Sequence, residues 1–122
     1  MNMNDPRALE YYEKSLKIGG NSKLSLIINI LVNMGTIYTR EKEFTKALDH
    51  LNKAFHLAEK IDLKRAKAEI WVKMGLIYIQ EKRYAEALDY SQKGMKIAND
   101  LKLLNLQKEI YGQLSEIYAA TN

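Results

Sequence analysis

Met34-Gly35-Thr36-Ile37-Tyr38 returns forty residues later as Met74-Gly75-Leu76-Ile77-Tyr78, and a worn third copy, Leu114-Ser115-Glu116-Ile117-Tyr118, follows after forty more. A second echo keeps step with it. Ala47-Leu48-Asp49 and Ala87-Leu88-Asp89 each begin twelve residues after the glycine, and Ala8-Leu9-Glu10, thirty-nine residues before Ala47, reads as a further copy of that echo. Self-similarity at a fixed period is the mark of a repeat array. Units that cannot close a core alone must stack, and their working part is a surface.

Within each period the apolar residues recur every three or four positions, the rhythm of a helix buried along one side. Leu24, Ile27, Ile28, Leu31, Met34, Ile37 and Tyr38 form one such series, and Ala47, Leu48, Leu51, Ala54, Phe55 and Ala58 form the next. Ile70, Trp71, Met74, Ile77 and Tyr78 open the second cycle. Asp5-Pro6 reads as an N-cap and first turn, Gly19-Gly20 as a helix stop, Asn21-Ser22 as a fresh cap, and Thr45 and Asp62 as caps of later helices. The next helix is expected from about Ala85 to Ala98 and the last from about Lys102 to Ala119. This gives about six helices, no strand, and connections so short that neighbours must be antiparallel.

Composition excludes several classes. With 47% apolar and 28% charged residues the chain is globular. It has no cysteine, so disulfides and thiolate chemistry are out and a cytoplasmic setting is expected. The longest apolar run, Leu24 to Val32, is broken by Ser25 and Asn29 and is too short to span a membrane. Residues 1–6 lack the basic and then apolar pattern of a signal peptide. The formal charge of +4 is spread among interspersed acids and bases, as expected of a solvated surface.

No constellation for catalysis appears. His50 and His56 lie six apart on one helix, which turns them to different faces as surface or rim histidines, and zinc needs three or four convergent donors. Glu41, Glu43, Glu81 and Glu86 fall at exposed turns, and no hydroxyl has a base beside it. Gly19-Gly20 follows no strand and so is no phosphate loop. No enzyme, metal or cofactor is expected. Lys14, Lys53 and Lys93 share one repeat position and could track phosphates, as could the cluster Lys60, Lys64, Arg65 and Lys67. Glu13, Asp49, Asp89 and Glu59 sit within a turn of these cations and blunt their field, which makes nucleic acid the weakest of the partner readings.

The spacing Leu31, Met34-Gly35, Tyr38, then Trp71, Met74-Gly75, Tyr78, then Tyr111, Leu114-Ser115, Tyr118 resembles the tetratricopeptide repeat. So does the second helix of each unit, with Phe44 or Tyr84 just before it, Ala47 or Ala87 within it, and a further small residue at Ala54 or Gly94. Ser115 in place of glycine, Ser91 in place of a large apolar residue, the missing helix-ending proline and the forty-residue period depart from the usual pattern. The extended period is similar to repeats in bacterial peptide-sensing regulators, sensor regions of signalling proteins and spindle-orientation adaptors. The resemblance implies an all-α fold, a right-handed α-α superhelix of about six antiparallel helices. Residues 1–122 would form one array: an unpartnered second-type helix at 5–18, repeats at 22–60 and 62–100, and the first helix of a partial repeat at 102–120. An array open at both ends is expected to be a piece of a longer one or to pair with another copy. Leu103, Leu104, Leu106, Ile110, Tyr111, Leu114, Ile117 and Tyr118 are more apolar residues than one buried stripe can use.

The family's concave wall is built from first helices. By resemblance it carries Asn29, Val32, Thr36, Thr39 and Arg40 here, then Glu69, Val72, Lys73, Leu76, Ile79 and Gln80, then Glu109, Gly112, Gln113 and Glu116. Such a wall suits a protein or peptide segment, with apolar residues giving area and Arg, Gln and Glu giving register. Members that grip a C-terminal carboxylate use a fixed set of Lys, Asn and Arg. The corresponding places hold Val32, Thr36, Lys73, Glu109 and Gln113, so that clamp is not expected. The expected function is a non-enzymatic interaction module, such as the sensor or adaptor part of a bacterial regulator. The alternatives are homo-oligomeric assembly through the terminal helices and a contact with nucleic acid.

Overall fold

A computed structural model describes the backbone of residues 6–122 and the side chains of residues 23–122. Five helices follow one another: α1 (Pro6–Arg40), α2 (Phe44–Lys60), α3 (Lys64–Gln80), α4 (Tyr84–Asp100) and α5 (Leu104–Thr121). There is no strand among the described residues. The chain divides into two compact units, Met1–Asp62 and Leu63–Asn122.

The first unit is the hairpin of α1 and α2. Gly35 lies at the crossing, where a Cβ would stand 2.8 Å from Cγ and Cδ2 of Leu51 and 3.5 Å from the Ala47 carbonyl oxygen. Only glycine lets the backbones come this close, and Ala47, Leu51, Ala54 and Ala58 opposite are fully buried. Away from the crossing the rings of Tyr38 and His50 fill the wedge, with centroids 5.1 Å apart.

The second unit repeats the design and extends it. Helices α3 and α4 pair as α1 and α2 do, and α5 packs on both. A Cβ on Gly75 would meet Gln113 Oε1 at 3.3 Å, Ser91 Oγ at 3.4 Å and the Ala87 carbonyl oxygen at 3.6 Å. Tyr78 stacks on Tyr90 in the place of the Tyr38–His50 pair, at 5.5 Å and 5°. One end of the core holds Ala68, Val72, Ala98, Leu106 and Ile110, and the other holds Ile79, Ala87 and Ile117.

The turns that follow α1, α2, α3 and α4 share one backbone feature. Lys42, Asp62, Lys82 and Lys102 adopt left-handed φ values of 61°, 52°, 61° and 55°, each just past a helix end. At three of them the next amide reaches back across the turn: Glu43 to the Tyr38 oxygen, Arg83 to Tyr78 and Leu103 to Ala98, at 2.9, 2.8 and 2.8 Å. This closes orphan carbonyls at the C-terminus without the usual glycine.

Three expectations change. Gly19-Gly20 is no stop, since α1 runs unbroken through it for 35 residues, so five helices stand where about six were expected. Glycine weakens a helix by about 1 kcal/mol per residue without ending it. Asp62 is the left-handed residue closing α2, and α3 starts after Leu63, which makes no side-chain cap bond. Thr45 lies inside the first turn of α2, whose N-cap is Glu43. The capping role of Asp5 lies outside the described residues, as do the side chains of Ala8, Leu9, Tyr12, Lys14 and Leu16.

Candidate functional site

In the first unit the wall residues of α1 recur on one helical stripe. Asn29 and Arg40 are exposed and Val32 and Thr36 half-buried. Thr36 donates its hydroxyl to the Val32 carbonyl at 3.0 Å. Thr39 is buried, its hydroxyl donating to the Gly35 carbonyl at 2.7 Å, and so presents no group to a partner.

In the second unit α3 contributes half-buried Glu69 and Lys73 and exposed Leu76 and Gln80, while α5 contributes exposed Glu109, Gly112 and Glu116. A cleft of about 590 Å³ opens between the N-terminal half of α3 and the start of α5, lined by Arg65, Glu69, Lys73, Glu109 and the turn 102–106. It brings together Glu69, Lys73 and Glu109 from the expected set. Arg65 and Lys102 join them without having been singled out as wall residues. Arg65 Nε donates to Glu69 Oε1 at 3.2 Å, an exposed pair worth little in stability but holding one acid at the rim. Lys73, Lys102 and Glu109 form no ion pair among the described residues. The mouth therefore offers two cations and one acid beside exposed Leu104.

Val72, Ile79 and Gln113, expected on the wall, are interior. Gln113 is a structural tie. Its amide nitrogen donates to the Val72 carbonyl at 2.8 Å, and its Oε1 accepts from Ser91 Oγ at 2.9 Å. Both side chains are thereby satisfied in the core, where an unmatched amide would cost about 1–3 kcal/mol. The signal for this pair was Ser91 itself, a hydroxyl where a large apolar residue is usual.

The histidines and lysines also find places. His50 is buried, not at a rim, its Nδ1–H donating to the Lys46 carbonyl at 2.8 Å, while His56 is exposed beside Phe55. No three His, Asp or Glu side chains converge among the described residues. Lys53 and Lys93 of the ladder pair with Asp49 and Asp89, both at 3.1 Å. Burial, and then the adjacent Tyr90, hold the Tyr78 phenol above its ordinary ionisation range. No described helix is long and apolar enough to cross a membrane.

Antiparallel helix pairs crossing at a buried glycine, with a ring pair in each wedge, define a helical-hairpin repeat protein. The Tetratricopeptide repeat family matches residues 26–100, more than half of the chain, and the chain belongs to that family. Repeats of this family are non-catalytic and mediate protein–protein interactions. No curated protein matches the chain.

Proposed function

We propose that the protein is a non-enzymatic adaptor that binds a segment of a partner protein, and that the α3–α5 cleft is a principal contact. The cleft carries this reading: it is concave, lined by exposed Leu104, charged at its mouth by Lys73, Lys102 and Glu109, and followed one turn further along α3 by exposed Leu76. Apolar side chains on the segment gain area there, and an acidic group placed between the two lysines sets its register. On the first unit the stripe Asn29, Val32, Thr36 and Arg40 is a second, smaller surface of mixed character. Repeats at 22–60 and 62–100, with 102–120 as a further first helix, are the frame of this reading. A cytoplasmic role as the sensor part of a regulator agrees with the cysteine-free composition.

A peptide-display selection against the wild-type chain, repeated on Lys73→Glu with Leu76→Asp, tests it. Enriched peptides should carry acidic and apolar residues and should lose binding at least tenfold to the variant at unchanged helicity. Peptides that bind both chains equally would remove the cleft from consideration.

Assembly through the terminal helices is a second reading, and it rests on a different surface, the open face of α5. The nucleic-acid reading is the weakest, because Lys53 and Lys93 already neutralise neighbouring aspartates.

A further inference from the structure

We propose that the open face of α5 receives the N-terminal second-type segment, residues 6–18, of a second copy of this chain. This sharpens the assembly reading and uses no residue of the cleft variant, so its failure leaves the partner-binding proposal standing.

Helix α5 is a first-type helix with one side covered by α3 and α4. The side that α1 and α3 turn toward their second-type partners is open. Tyr111 is 63% exposed and Tyr118 46%, whereas Tyr38, which occupies the Tyr118 place on α1, is 7% exposed. A Cβ on Gly112 would meet nothing within 4 Å. What this face lacks is a helix of the α2 and α4 kind.

Residues 6–18 supply that helix position by position. Ala8 stands in register with Ala47 and Ala87, Ser15 with Ala54 and Gly94, and Leu16 with Phe55 and Met95. Gly19, expected to stop a helix, falls in register with Ala58 and Ala98, both fully buried. Its smallness fits a crossing. The ring pair extends too: Tyr38 meets His50 and Tyr78 meets Tyr90, and the third members of these two series are Tyr118 and Tyr11. Volumes are complementary. In the second unit Val72 presses on Gly94, with Cγ2 3.1 Å from the place of a Cβ, while the third pair sets Gly112 against the larger Ser15.

A cation and a ring match as well. In the first unit Lys46 lies over the Tyr38 ring at 5.7 Å, and Arg7 holds the Lys46 register place where Tyr118 holds that of Tyr38. Tyr111, Tyr118 and Leu104, the last at the edge shared with the cleft, leave roughly 350 Å² open, so one docking buries about 700 Å² in total. That is below the 1,200 Å² or more of a stable interface, but two copies exchanging segments reach about 1,400 Å². Reach is not limiting: α1 is about 52 Å long and α2 about 26 Å, so α2 can line only half of α1.

The native chain has no cysteine, which permits a direct test with two separate single-cysteine chains, Tyr12→Cys and Ser115→Cys. The matching places in the second unit, Ser91 Oγ and a Cβ on Gly75, are 3.4 Å apart, within disulfide reach. Under mild oxidant the mixed chains should form the mixed disulfide severalfold above either like-with-like product, and Tyr111→Glu with Tyr118→Glu in the second chain should abolish that preference. Light scattering on the wild-type chain should give a mass that rises from monomer toward dimer with concentration, and the same double substitution should hold it at monomer. A preferred Ser115→Cys product with itself, a mixed disulfide at the statistical level, or a wild-type mass that stays monomeric at millimolar concentration would each overturn the proposal.

Discussion

Three glycine-to-alanine substitutions share one helix-propensity gain and differ only in what the new methyl meets. The gain is about 1 kcal/mol in a helix interior. At Gly112 the methyl enters open space in a single copy, so at concentrations where the chain is monomeric the variant keeps the whole gain. At Gly35 it lands 2.8 Å from Leu51 Cγ and Cδ2, against an ordinary carbon contact of about 3.5–4.0 Å. Leu51 is fully buried, and its branch carbon cannot swing aside as a chain end could. Overpacking of this kind costs about 1–3 kcal/mol, which leaves a net loss of about 1 kcal/mol. At Gly75 the methyl meets Gln113 Oε1 at 3.3 Å and Ser91 Oγ at 3.4 Å, so small shifts suffice and the net change is near zero. Thermal unfolding followed by far-UV circular dichroism should therefore rank Gly112→Ala above wild type, Gly75→Ala close to it and Gly35→Ala below. The outer two should differ by about 2 kcal/mol, or roughly 6–10 °C in Tm for a chain of this size. If Gly35→Ala were as stable as Gly112→Ala, the claim that close backbone approach dictates the first glycine would be refuted.

Ser91→Ala should cost about 1–3 kcal/mol in urea unfolding, because it strands Gln113 Oε1 in the core, and combining it with Gln113→Leu should recover part of that loss. Lys82→Gly should stabilise by up to about 1 kcal/mol, since an L-residue at φ 61° is strained, and a loss of stability would show that the lysine side chain matters more than its backbone. The raised Tyr78 phenol has a signed consequence: the folded state holds its proton more tightly, so the stabilisation is complete below the unfolded value of about 10 and is lost as pH rises through the folded value. Tyr78→Phe should flatten that part of the alkaline decline in urea midpoint, and parallel curves for the two chains would count against it.

The repeat was legible because Gly35 and Gly75 serve one physical purpose, the close crossing, and little else in the chain can replace them. Helix type and antiparallel pairing followed from that purpose and from the apolar rhythm. The wall was harder to read. A helix in such a stack is covered on more than one side, so its apolar stripe is broad and residues near its border are ambiguous. Val72 and Ile79 fell on the buried side of the border and Leu76 on the exposed side, although all three are aliphatic. Gln113 was misplaced because polarity suggested water, whereas its partners, Ser91 and the Val72 carbonyl, lie 22 and 41 residues away along the chain. Local composition likewise misread Gly19-Gly20 and Asp62. A glycine pair serves helix ends and helix interiors alike, an aspartate serves either end of a helix, and only the neighbours decide.

Gln113 also has a mechanical consequence. An aliphatic contact between helices tolerates a slide of one turn or a slight roll, because one methyl can stand in for another. A carboxamide bound on one side to a carbonyl of α3 and on the other to a hydroxyl of α4 tolerates neither, so it works as an indexing pin. Added to the apolar contacts of Leu106, Ile110 and Ile117, this side chain fixes the rotational setting of α5, and with it the direction in which the tyrosines on the far side look outward.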